Sequence, residues 1–302
     1  MKFTDSQKRS TRTLKTKMKF LATPNVKLLL QILIAFLITS LFNSAEVVAQ
    51  GNLLITPRRV VFEGAKKIQE LNLANIGMDS ARYVLSMVEI RMKEDGSFEK
   101  ITVPDSGQFF ASPYLRFFPR SVVLGPNESQ LLKVQVARTE QLPVGEYRSH
   151  VYFRAERDDK PLGEIEAKID SGSISISLIP VFGITIPVIV RVGELNASMA
   201  ISDVKVVKHD TTTAVEMVLN RSGNKSVYGD VSVDYFTADG KIVNVGQAKG
   251  VSVYTPNSKR RFEVKLKNLD AINLSKGKIR IQYVSDSDIN PIKLAETELE
   301  LN

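Results

Sequence analysis

Residues 172–191 carry the most informative pattern of hydrophobic and polar positions in the chain. The first part alternates strictly, with serines at 173, 175 and 177 and apolar residues between and after them: Ile174, Ile176 and Leu178. A period of two indicates a β-strand. The nearly continuous apolar run that follows, from 179 to 190, is typical of a strand covered on both faces.

Two prolines, Pro180 and Pro187, fall within this apolar strand, with Gly183 between them. Proline has no N–H group to donate, so prolines in sheets lie on edges, at strand starts or at bulges. Strand N–H groups point alternately to the two sides, so both prolines cannot face the free edge of one regular ladder. We therefore predict a long, apolar edge strand with a bulge or break near Gly183. Such an edge is covered by a neighbouring loop or paired with another chain, and the pattern leaves both possibilities open.

Short candidate strands separated by turn signals fill the rest of the chain from Leu53 onward. The signals include Glu63-Gly64, Asp95-Gly96 and Asp239-Gly240, and their spacing is typical of β-sandwiches. The pattern restarts after the short link at 192–195. We predict an all-β fold with two consecutive immunoglobulin-like β-sandwich domains, at residues 50–192 and 193–302.

Positive charge is concentrated at the N-terminus. The chain has 41 basic and 33 acidic residues, and residues 1–49 hold eight of the basic ones but only two of the acidic ones. The remaining 33 basic and 31 acidic residues form a nearly neutral body. Because a nucleic-acid-binding protein needs a basic body, we expect no nucleic-acid partner.

The basic N-terminal region precedes an apolar run from Leu28 to Phe42. This run has the length of a signal-peptide core and is shorter than the roughly 20 apolar residues of a membrane-spanning helix. Val47 and Ala49 occupy the −3 and −1 positions of a cleavage site. We predict a signal peptide at 1–49 and export to the periplasm. The alternative is an uncleaved anchor, which would be the chain's only membrane contact.

Candidate chemistry is sparse. The chain has no cysteine, so lipid attachment and disulfides are excluded and the cores must supply the stability. The two histidines, His150 and His209, have no recognisable catalytic partners, and residues 286–290 lack the glycine and glutamate of an EF-hand loop. We therefore expect a protein that is not an enzyme and has no metal or cofactor.

A structural motif is recognisable near Tyr147. The sequence Pro143-Val-Gly-Glu-Tyr147, followed by an alternating strand, predicts a tyrosine corner, in which the Tyr hydroxyl binds nearby backbone.

Three stretches together resemble a known family. They are LLITPRRVVFEGAKKIQELNLANIG (53–77), ASPYLRFFPRSVVLGPNESQLLKV (111–134) and LPVGEYRSHVYFRA (142–155). Their order and spacing are similar to those of the N-terminal domain of PapD-like periplasmic chaperones of the chaperone–usher pilus system. The resemblance covers roughly residues 52–192, and the second domain is similar only as a sandwich in the corresponding place.

The resemblance implies a mechanism in which the edge strand is lent to an incomplete immunoglobulin-like subunit. The apolar positions Ile174, Ile176 and Leu178 would fill the groove of this protein partner. An arginine and a lysine of the family hold the subunit's terminal carboxylate. Phe62 anchors the alignment and places the arginine at Arg59. The alternative for Arg59 is an ordinary solvated charge beside Arg58.

This sequence departs from the family at the lysine. No lysine lies between Lys168 and Arg191, and the family position falls near Pro187. We assign Arg191 to a structural ion pair between the domains. The leading hypothesis is a periplasmic chaperone that binds pilus or surface subunits by strand addition. The alternative, which the absent lysine favours, is a structural adaptor that stays paired within an envelope assembly.

Overall fold

The computed structural model describes residues 53–156, 183–237, 240–269, 272, 274, 276–286 and 291–301, together with Gln31. The chain divides into two compact units, Met1–Val48 and Ala49–Asn302, and the architecture below belongs to the second. The predicted signal peptide lies outside the described residues. None of the described residues belongs to a helix of the length and apolarity that crossing a bilayer requires.

Eleven of the described strands belong to the first half. They are β1 (Leu53–Thr56), β2 (Val60–Phe62), β3 (Ile68–Asn75), β4 (Ala81–Val88), β5 (Ile90–Met92), β6 (Phe98–Lys100), β7 (Leu115–Phe118), β8 (Ser121–Leu124), β9 (Ser129–Val136), β10 (Gly145–Glu156) and β11 (Gly183–Val192). Nine of them build the first sandwich, in which one sheet has the order β1-β3-β9-β7 and the facing sheet the order β2-β11-β10-β4-β8, and β5 and β6 form a separate two-stranded hairpin. The inward-facing apolar residues of both sheets, including Phe62, Leu71 and Phe153, form one core.

Seven further strands build the second sandwich. They are β12 (Ala197–His209), β13 (Thr212–Gly223), β14 (Val227–Phe236), β15 (Ile242–Val253), β16 (Lys259–Lys265), β17 (Gly277–Ser285) and β18 (Lys293–Leu301). Their sheets have the orders β12-β13-β16 and β15-β14-β17-β18. They enclose a separate core that includes Leu219, Ile281 and Tyr283. The predicted all-β fold with two consecutive sandwiches is confirmed.

The organising strand β11 differs from its predicted form in two respects. It pairs with β10 over all ten of its residues without a register shift, so the bulge predicted near Gly183 is wrong within the described strand. The Tyr152 ring covers Gly183, since a Cβ there would lie 2.1 Å from Cε2 of Tyr152, so a larger residue would require this ring to move. The strand is also not an edge along its whole length, since β2 flanks it in parallel from Val188 to Val190.

The continuous apolar run of β11 is explained by coverage on both faces. Val188 and Val190 point into the core of the first sandwich. Ile189 points to the other side, where it packs with Met92 and with Tyr254 of the second sandwich. The interpretation of the run as a doubly covered strand is therefore confirmed for this part of the sequence.

We propose that the second domain begins at Gly193 and folds independently, because its core is built from residues after that point. A fragment of residues 194–302 should show one cooperative thermal transition in circular dichroism, with a β-type spectrum. A spectrum without a transition would place the boundary elsewhere.

Candidate partner-binding site at the cleft between the sandwiches

The first part of β11 has an open edge. Residues Gly183–Pro187 pair with β10 on one side, and no described strand pairs with them on the other side. Pro187 directly precedes the segment that pairs with β2, so its missing N–H removes nothing from that ladder. The side chain of Ile184 is left 38% exposed. The predicted partner contacts Ile174, Ile176 and Leu178 lie outside the described residues.

Arg59 lies where this open edge ends. The chain pairs in one sheet as β1 and in the facing sheet as β2, and Arg59 is the last residue before β2. Because Val60 is the register partner of Val188, Arg59 lies level with Pro187. The sheet crossing thus brings a cation to the end of the open ladder.

A cleft of about 690 Å³ separates the two sandwiches beside Arg59. Its basic lining residues come from both sandwiches: Arg58, Arg59, Arg191 and Lys225. Glu63 and Asp286 are the acidic lining residues, and Val61, Tyr228 and Ile292 add aromatic and apolar surface. The cleft is therefore a mixed surface with an excess of positive charge.

The Arg59 side chain is largely enclosed by these walls. Its guanidinium carbon lies 4.6 Å from the centre of the Tyr228 ring, a cation–π contact with the second sandwich. Its Nε is buried without a hydrogen-bond partner, and no carboxylate among the described residues lies within ion-pair distance. Burial lowers the pKa of Arg59 below its ordinary value. Arg59 is therefore partly enclosed and has no carboxylate partner among the described residues.

Arg191 is satisfied by protein groups, in contrast to Arg59. Its Nε donates to the Glu146 carboxylate at 3.1 Å and its Nη1 to Glu63 at 3.1 Å. Its Nη2 donates to the carbonyl oxygen of Ser226 at 3.3 Å. The ion pairs lie within the first sandwich, and the link to the second is this hydrogen bond.

Glu146 is the centre of the contact between the sandwiches. Its side chain is fully buried, and beside Arg191 it accepts hydrogen bonds from the Ser226 backbone N–H at 3.1 Å and from Thr255 Oγ1 at 3.2 Å. The Ser226 hydroxyl also donates to it. Four donors thus compensate the carboxylate for its lost hydration.

Sequence reasoning missed Glu146, because its local pattern is that of an exposed position. Glu146, Arg148 and His150 occupy alternate positions of β10, as on a solvent-facing side of a strand. All three are buried, because this face packs against the second sandwich. The Arg148 guanidinium lies 4.2 Å from the Tyr254 ring centre, and the His150 ring meets the same tyrosine edge-on.

The hairpin of β5 and β6 adds backbone contacts to the second sandwich. The carbonyl oxygen of Met92 accepts a hydrogen bond from Asn257 Nδ2 at 2.7 Å. The carbonyl oxygen of Glu94 accepts one from the Arg261 N–H at 2.6 Å. Met92 also packs against Tyr254 of the second sandwich.

The two remaining residues singled out in the sequence hold the first sandwich together. The Tyr147 hydroxyl donates to the carbonyl oxygen of Pro143 at 3.0 Å, which is the geometry of a tyrosine corner. Phe62, at the end of β2, is 2% exposed and packs in the core of the first sandwich.

One group of described side chains has the chemistry of metal ligands. The ligand atoms of His209, Glu216 and Glu263 lie within 4.8 Å of one another on the second sandwich. The ammonium group of Lys205 is 2.9 Å from Glu216, so a protein cation already balances part of this negative charge.

No protein-family model and no curated protein matches the chain. Similar solved structures include the CsuC–CsuE chaperone–tip adhesion subunit pre-assembly complex of archaic chaperone–usher Csu pili from Acinetobacter baumannii. It is 13% identical with a TM-score of 0.41, over 81% of this chain and 98% of that chain. The Escherichia coli chaperone DraB is 14% identical with a TM-score of 0.39, over 84% and 98%. Salmonella enterica SafA pilin in complex with the SafB chaperone is 13% identical with a TM-score of 0.38, over 84% and 99%. Each of these structures is a chaperone or contains one.

Replacing Glu146 by alanine should lower the free energy of unfolding by about 3–5 kcal/mol, because Arg191 would lose its buried partner. Glu63→Ala is the matched control. Glu63 binds the same arginine but is 61% exposed, so its loss should cost about 0–1 kcal/mol. Urea unfolding of both variants measures the difference, and equal losses would show that burial of Glu146 is not what stabilises the contact.

His150 should make the protein less stable in acid. Burial lowers its pKa from 6.5 to about 3, with a further contribution from the neighbouring Arg148. Between these values the unfolded chain binds a proton that the folded protein does not. Stability is therefore lost as the pH falls below 6.5, by about 2 kcal/mol at pH 5.

A variant without the titrating ring tests this pH dependence. His150→Gln should flatten the curve of unfolding free energy against pH between 7.5 and 5. Parallel curves for the wild type and His150→Gln would contradict the prediction.

Proposed function

We propose that this protein is an exported chaperone that binds an incomplete immunoglobulin-like subunit by adding a strand to it along the open edge of β11. One observation carries the proposal: the open ladder at Gly183–Pro187 ends beside Arg59, a largely buried arginine without a carboxylate partner. The nature of the subunit follows from the resemblance in residues 53–155.

The direction of β2 determines which partner strand fits. β2 runs parallel to β11 and pairs only with its later residues. A partner strand that continues the line of β2 along Gly183–Pro187, in the same direction, would therefore end at Arg59. An antiparallel strand would bring an N-terminal ammonium group to the same place. Because Arg59 is a cation, it favours the parallel partner, whose C-terminal carboxylate arrives there.

The apolar residues before Gly183 extend this interface. Ile174, Ile176 and Leu178 lie an even number of positions before Ile184 and Ile186, so they have the same place in the alternation of a strand. In the described part of β11, Ile186 lies in the core of the first sandwich. We propose that the three residues enter the groove of the partner. Each would contribute about 1.5–3 kcal/mol when fully buried, so the apolar side chains would supply more affinity than the carboxylate contact.

A permanent adaptor would use the same edge, and release of the partner distinguishes the two functions. The partner should co-purify with the protein from the periplasm and be absent from it once assembled on the cell surface. Co-isolation of the protein with the finished surface structure would identify it as an adaptor instead.

The carboxylate contact is tested with two peptides of alternating valine and threonine, one with a free C-terminal carboxylate and one C-terminally amidated. The wild type should bind the free peptide more tightly, and Arg59→Ala should lose this preference, at a cost of about 1.5–3 kcal/mol. The variant should stay folded, because no protein group loses a hydrogen bond. Arg58→Ala, at an exposed lining residue, is the control. Equal binding of the two peptides to the wild type would reject the carboxylate site.

The edge contact is tested in the same assay. Ile176→Asp should weaken the binding of both peptides alike, since a carboxylate would be buried unpaired in the interface. Ser175→Asp, on the other face of the alternation, should have a much smaller effect. Unfolding of the first sandwich by Ile176→Asp would show that this residue belongs to the protein's own core.

A further inference from the structure

The basic residues of the cleft differ in how they are compensated. Arg191 is bound by Glu146 and Glu63. Among the described residues that line the cleft, Arg58, Arg59 and Lys225 have no carboxylate within ion-pair distance. Arg58 and Arg59 belong to the first sandwich, so Lys225 is the uncompensated cation on the wall formed by the second.

The backbone at Lys225 is held firmly. Its carbonyl oxygen accepts a hydrogen bond from Arg221 Nη1 at 3.0 Å. The N–H of the next residue, Ser226, donates to the buried Glu146 carboxylate at 3.1 Å. The half-buried Lys225 side chain therefore starts from a backbone whose position beside the cleft is fixed.

We propose that Lys225 is the second cation that holds the partner's terminal carboxylate, opposite Arg59. This inference rests on the proposed function. A carboxylate has two oxygens, and a guanidinium on one wall with an ammonium on the other can each bind one of them. The lending strand has Pro187 where a lysine would be needed, so the charge is supplied by the second sandwich instead.

The acidic lining residues restrict what the two cations can bind. Glu63 and Asp286 lie in the same cleft and would repel a ligand with several negative charges. A single carboxylate at the end of a strand places one charge between Arg59 and Lys225. The site therefore selects a chain terminus over a polyanion.

The test uses the full chain and the free and amidated peptides described above. Lys225→Met keeps the apolar stem and removes the charge, and it should reduce the preference for the free carboxylate by about tenfold. Lys225→Arg should retain the preference. Lys249→Met, at an exposed lysine of the same sandwich, is the control and should behave as the wild type.

The outcomes separate this inference from the proposed function. If Arg59→Ala loses the preference and Lys225→Met keeps it, the role of Lys225 is overturned and the carboxylate site stands. If Lys225→Met weakens both peptides equally, the lysine supports the fold or the strand contact and not the terminus. If the wild type shows no preference, the proposed carboxylate site and the role of Lys225 are both rejected.

Discussion

The buried carboxylate of Glu146 is the constraint on which the arrangement of the two sandwiches depends. A carboxylate without water needs a full set of donors. Only one of its partners, Arg191, comes from its own sandwich, whereas Ser226 and Thr255 come from the other. A displaced second sandwich would leave the charge uncompensated, so the electrostatic cost of displacement fixes the walls of the cleft.

The same constraint explains why Arg59 can remain without a partner. Arg191 binds both Glu146 and Glu63. Arg59 is left with the face of Tyr228, which stabilises a cation but provides no hydrogen-bond acceptor. Burial of the Arg59 guanidinium therefore costs desolvation free energy that no protein carboxylate offsets, and an incoming carboxylate would offset it. The ion pairs of Arg191 thus use the two glutamates, and Arg59 has no carboxylate partner among the described residues.

The two-sandwich fold could be predicted from the sequence, because the spacing of turns and the alternation of apolar residues are local patterns. Arg59 was predicted from a resemblance. Sequence reasoning failed where a residue's role depends on another domain or on a neighbouring strand. The bulge or break was predicted near Gly183, but the ladder with β10 is regular from Gly183 to Val192. Glu146 was not identified, because nothing local shows that the polar face of β10 is covered by Tyr254 and Ser226.

The partial cover of β11 by β2 balances two requirements on an apolar edge. An open edge along the whole strand would invite unspecific pairing with other chains. Three parallel pairs, from Val188 to Val190, close the end nearest the second sandwich. If the proposed partner strand binds along Gly183–Pro187, these pairs also define where it must stop, because β2 occupies the next positions of the ladder. A partner that is one residue too long would then collide with Arg59, and one that is too short would leave the guanidinium without its anion. In the proposed complex the length of β2 would therefore set the register of the partner strand.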